Sequence, residues 1–130
     1  MTVGLSAAIA NSILDALCRS VTWAEPAAFY VKLHTGDPGS AGTANAATET
    51  TRKLATFAAA SAGQADTSAD LAWTNVAATE TYSHVSFWTA ATAGTFLGSD
   101  ALDTPRAVTA GDSFTIPAGD ASLGPLPVAA

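Results

Sequence analysis

Apolar and polar residues alternate with two different periods along this chain, and the change of period divides it. From Val3 to Arg19 the period is helical: Leu5, Ile9, Ile13 and Leu17 recur every fourth residue, with Ala8, Ala16 and Leu14 widening the stripe. Asn11, Ser12, Asp15 and Arg19 take the opposite side, so the spacing predicts an amphipathic helix over Val3–Arg19. Thr2 or Ser6 can supply the N-cap oxygen, and Arg19 sets a cation near the negative end of the helix dipole. Pro26 forbids continuation past Trp23. The stripe can cover a face of its own domain or pack against a neighbouring subunit. Leu14 lies off the main stripe and gives the helix a second apolar contact.

Beyond Pro26 the period falls to two. Phe29, Val31 and Leu33 alternate with Tyr30, Lys32 and His34, the pattern of a half-buried strand. Thr35 to Thr43 holds three glycines and a proline, an emphatic turn and loop, and Ala44 to Thr51 is small, polar and irregular. Arg52–Ala59 and Leu71–Trp73 read as strands, separated by the turn-like Ala62 to Asp66. Tyr82–Thr89 places His84, Ser86 and Trp88 on one face, Val85 and Phe87 on the other. Phe96-Leu97, Pro105–Val108, Ser113–Ile116 and Ala121–Leu123 supply further short strands, with Ala110-Gly111-Asp112 as a hairpin-type link. Short strands between Gly, Asp and Pro turns predict a mainly β fold, a small antiparallel β-sandwich or barrel preceded by the helix. The expected organisation is a helix and link over 1–23, a β domain over 24–123, and a Pro-containing tail over 124–130. Two prolines keep that tail out of any interior strand.

Composition narrows the function. With 130 residues there is room for one domain. Charged residues make up 12%, about half the usual ~25%. A surface of Thr, Ser, Ala and Gly suits a protein whose neighbours are other protein surfaces, although a compositional drift would produce the same texture. The net charge is −6, and the cations Arg19, Lys32, Arg52, Lys53 and Arg106 are scattered except for one pair. Nucleic-acid binding needs clustered cations to displace phosphate counterions, so no nucleic-acid partner is expected. Acidity disfavours an anionic membrane surface, and no apolar run is long enough for a span. Cys18 is the only cysteine, has no internal disulfide partner, and reads as a small buried apolar residue in the helix.

Candidate chemistry is sparse. His34 and Asp37 are three apart, but a metal or acid–base site needs a third convergent group, and the only other imidazole is His84. A strand-edge histidine before a turn-forming Asp-Pro explains the pair. Asp100 and Asp103 lie in a turn-like region where Asp bonds locally. No nucleophile elbow, phosphate loop or helical His pair occurs. Trp23, Trp73 and Trp88 could line a sugar site, but in a small sandwich tryptophans more often fill the core. Neither catalysis nor a cofactor or metal is expected. Asp37-Pro38-Gly39 is read as a structural turn: a side chain that bonds two residues on, a pre-set φ, and a residue free to take φ > 0.

Several of these segments carry a resemblance. Asn11 to Leu17 fits "NxILDxL", Tyr30 to Gly39 fits "YVxLHTxDPG", and an Arg-initiated strand follows at Arg52 to Phe57. Ser83 to Trp88 is close to "THxxxW", and Ala110 to Asp120 fits "AGDxFxIPAGD". The chain resembles, along nearly its whole length, short proteins of tailed phages and prophages that are usually labelled tail-fibre or minor structural proteins. It departs from that pattern at Gly124-Pro125-Leu126-Pro127, where an alternating strand is expected. The resemblance implies a virion structural protein assembled in the host cytoplasm. Low charge and small size favour a decoration (cement) protein on the capsid exterior. The expected partners are copies of itself, as a homo-oligomer such as a trimer, and the major capsid protein or tail proteins. A tail-fibre or tail-tip module is the first alternative and a carbohydrate-binding module the second. Leu5, Ile9, Ile13, Leu14 and Leu17 are the expected assembly interface.

Overall fold

The computed structural model describes residues 3–126 and 128–129. Its elements are α1 (Ala7–Arg19), β1 (Phe29–His34), β2 (Lys53–Ala55), β3 (Ala65–Asp66), β4 (Leu71–Trp73), β5 (Glu80–Trp88), β6 (Phe96–Val108), β7 (Phe114–Ile116) and β8 (Ser122–Leu123). A four-stranded antiparallel sheet runs β2-β1-β5-β6, and two ribbons pair β3 with β8 and β4 with β7. The fold is mainly β, a small antiparallel sandwich with one N-terminal helix.

Period-two alternation sets the faces. Val31 lies opposite Phe87 and Leu33 opposite Val85, so four large apolar side chains share one face of β1 and β5. In the β4–β7 ribbon Leu71 pairs with Ile116 and Trp73 with Phe114, again on one face. These two faces join in one core with Ala55, Tyr82, Leu97, Leu102 and Val108. Aromatic rings tie the layers: Phe114 stands 4.9 Å from Tyr82 and 6.0 Å from Trp73, and Phe57 lies 6.0 Å from Phe87.

Several sequence expectations are corrected by the pairing. Phe96-Leu97 and Pro105–Val108 are the two ends of one thirteen-residue strand, β6, whose register on β5 shifts between Tyr82 and His84. The link at Ala110-Gly111-Asp112 does not join a hairpin, because β6 pairs with β5 and β7 with β4. It carries the chain from sheet to ribbon. The strand expected over Arg52–Ala59 divides: Lys53–Ala55 bonds β1, then Phe57 bridges Thr67. Within the turn-like Ala62 to Asp66, the last two residues form β3.

The helix starts later than its periodicity implied. Ser6 is the N-cap, its Oγ accepting from Ile9 N, and Ser20 ends the helix at φ 54°. The preceding residues are extended along β6, where Leu5 bridges Gly98, Ser6 N donates to Leu97 O (2.8 Å) and Ser99 N donates to Gly4 O (2.7 Å). Thr2, the other N-cap candidate, lies outside the described residues, as does Pro127 of the tail. No residue of α1 is buried, and Cys18 is exposed rather than buried. The tail is tied down at Leu126, whose N–H donates to Gly63 O (2.9 Å).

Candidate functional site

Two places concentrate the candidate chemistry and surface: the second face of β1 and β5, and the flank of α1.

On the second face His34 is fully buried, because the loop after it folds back across the strand. His34 belongs to an interior strand, flanked by β2 and β5, so it is not the strand-edge histidine that its position before a turn suggested. Its Nδ1 lies 2.9 Å from Ala44 O, and a carbonyl oxygen only accepts, so Nδ1 carries the proton. Nε2 is then an acceptor, and the Ser86 hydroxyl donates to it at 2.7 Å. Ser86 Oγ in turn accepts from Trp88 Nε1 at 2.7 Å. The donors in this relay all run one way, from Trp88 through Ser86 and His34 to the Ala44 carbonyl. Burial holds the His34 imidazole below its usual pKa, outweighing the Ala44 carbonyl that its ring bonds, and the Lys32 cation pushes the same way as burial. A serine and histidine at this distance have the spacing of a nucleophile and its base, but neither has exposed surface for a substrate to reach.

The returning loop is built by the expected turn. Gly39 N donates to Asp37 Oδ1 at 2.8 Å, and Gly39 sits at φ 76°. Pro38 O receives Ala44 N at 2.9 Å. Gly42 passes under Phe96: a Cβ there would stand 2.3 Å from the ring. Phe96 packs on Trp88, and the Arg52 guanidinium lies 4.4 Å over the Trp88 ring.

Acidic groups are used locally. Glu80 accepts from Thr48 N and Glu49 N, and Glu49 accepts from Thr51 N and Ala77 N. The nearby Tyr82 hydroxyl is buried and meets no hydrogen-bond geometry among the described residues, with Glu80 as the carboxylate nearest to bonding it, and burial with the Glu80 and Glu49 charges pushes its pKa up to about 12. Asp100 accepts from both N and Oγ of Ser122, tying β8 to β6, and burial raises its pKa to about 6. Asp103, paired with Asp100 in sequence, is exposed. Among the described residues no three His, Cys, Asp or Glu side chains gather to hold a metal ion.

The flank of α1 is different in kind. Leu5, Ala10, Ile13, Leu14 and Leu17 line one wall of an apolar groove of about 440 Å³, and Leu126 of the tail lines the other. A second apolar groove of about 190 Å³ lies beyond Leu126 and shares Leu5 and Ile13. Four of the five expected interface residues therefore meet at one groove. Ile9 does not; it packs on the core. Leu14 and Leu17 are the exposed members, at 55% and 77%. Leu126 was missed because two flanking prolines mark it as tail, and no local pattern says where a tail folds back.

The turn of 3.6 residues explains the division. Ile9, Ser12, Ile13 and Ala16 fall on one side and are half-buried, while Ala10, Leu14 and Leu17 fall roughly 110° around the axis. Asp15 and Arg19, bonded to each other at 3.3 Å, lie on the far side from this second stripe.

Residues 4–124 match a family described as "Podophage GP4 fiber I protein gp80". No curated protein matches the chain.

Proposed function

Because the chain belongs to the podophage GP4 fiber I protein gp80 family, and so to the structural proteins of phage virions, we propose that it is a fibre-type virion subunit that docks through the α1 flank. One observation carries the docking face: a helix with no buried residue that keeps Leu14 and Leu17 in solvent beside an apolar groove. Isolated helices of fewer than ~12–15 residues are marginal in water, so a thirteen-residue helix with two apolar stripes is best satisfied by a second surface. The protein's role is mechanical, and its polar clusters hold loops and strands together instead of turning over a substrate.

Low charge favoured capsid decoration at the level of composition, and that reading keeps the same docking face. The family description favours the fibre. The carbohydrate-binding alternative is left with Trp23 and Tyr30, both half-exposed, since Trp73, Trp88 and Tyr82 are buried.

Purified virions test the proposal. A fibre subunit is expected at a copy number far below that of the major capsid protein, and a comparable copy number would support decoration instead. Virions made with Leu17→Asp should lack the protein. Normal incorporation of that variant would show that the α1 flank is not the docking face.

A further inference from the structure

Resting on the reading of the α1 flank as an assembly surface, we infer that its partner is the same flank of a second copy of this chain. The first argument is charge. The molecule carries −6, yet Ala10, Leu14 and Leu17 hold none of it, and the helix's own ions, Asp15 and Arg19, are paired with each other on the far side. Two acidic molecules can associate where neither brings charge, and this stripe meets that condition. A basic partner would find nothing here to pair with. A membrane-surface helix carries Lys and Arg along its polar face, and α1 has only Arg19, already paired.

The second argument is shape. Knob and hole lie side by side on one patch: Leu17 protrudes, and the groove between Leu14 and Leu126 is the size for aliphatic side chains. A patch that carries both is self-complementary, as a two-fold contact requires: what one copy inserts, the other receives. The third argument is area. The exposed parts of Leu14, Leu17 and Leu126 amount to on the order of 300 Å² of apolar surface. One side of a standard interface covers about 800 Å², a little over half of it apolar. The patch therefore supplies most of the apolar share of one side of a stable contact.

Sedimentation velocity of the purified full-length chain, from low to high micromolar, tests this. The parent is expected to self-associate, and Leu17→Asp and Leu14→Asp to weaken association at least tenfold while the far-ultraviolet spectrum and thermal midpoint stay those of the parent. Leu54→Asp, at a leucine on β2 about as exposed as Leu14, should associate as the parent does. A parent that stays monomeric across the range overturns the inference, and so does association that survives Leu17→Asp or is lost in Leu54→Asp. If the parent is monomeric but Leu17→Asp is still excluded from virions, the docking face stands and its partner is another virion protein. Should an Asp variant unfold, Leu17→Ser is the substitute, with the same outcomes.

Discussion

Phe87 and Leu17 are both large apolar residues in regular secondary structure, and their surroundings could hardly differ more. Phe87 has no exposed surface and belongs to a core drawn from both layers of the sandwich, with Val31, Leu33 and Val85 on its own face. Leu17 keeps 77% of its surface in solvent, on a helix where nothing is buried. The body is closed on both faces of β1: apolar packing on one, the Trp88–Ser86–His34–Ala44 relay under a folded-back loop on the other. The helix is held by the Ser6 cap, the short ladder of Gly4 to Ser6 with β6, and the packing of its half-buried side led by Ile9. Stability and assembly are thus assigned to different parts of one small chain, and substitutions should separate them.

The largest separation is expected at Phe87→Ala, which should cost about 3–5 kcal/mol in denaturant unfolding, the usual range for removing a core aromatic ring. A loss below 1 kcal/mol would mean the two layers are not packed as one core. Ser86→Ala should come next, at about 1–3 kcal/mol, because it strips Trp88 Nε1 and His34 Nε2 of their partner inside the protein. A neutral result would show that the relay does not hold the loop. Gly42→Val should cost a similar ~1–3 kcal/mol, since it adds a side chain against Phe96 at a left-handed φ of 74°.

A smaller effect, and one with a sign, belongs to Asp100. Its folded pKa of about 6 stands above the ordinary carboxylate value of 3.8, so the folded protein takes up this proton before the unfolded chain does. The ionised carboxylate therefore weakens the fold above pH 6, and the burden lifts as pH falls towards the ordinary value. Asn can accept both Ser122 bonds without the charge. Asp100→Asn should raise the thermal midpoint at pH 7.5, with the advantage shrinking as pH falls through 6. An advantage that is independent of pH would mean that charge is not what Asp100 contributes. The smallest effect on stability is expected at Leu17→Asp, within about 0.5 kcal/mol of the parent under dilute conditions. A large loss there would erase the distinction between body and helix.

Local pattern was enough for α1 and for the core strands. Four-residue spacing marks the helix, and two-residue alternation in Phe29–His34 and Tyr82–Trp88 selects Val31, Leu33, Val85 and Phe87 as an inward face whatever the strands pair with. The turn chemistry of Asp37-Pro38-Gly39 is equally local, because its bond spans two residues. Which strand neighbours which was not local. Ala110-Gly111-Asp112 has the same turn chemistry whether or not its flanks pair, and the choice of β4 for β7 comes from Phe114 and Ile116 finding Trp73 and Leu71. His34 reads as polar and peripheral until a loop covers it and Ser86, fifty-two residues away, meets its ring. Leu126 becomes one wall of a groove only because Gly63 holds its backbone. Sequence alone determined what each segment can bury, since a side chain's hydrophobicity and spacing are its own. Tertiary structure decided what was left unburied, because a residue stays exposed only when every other segment has found a better partner.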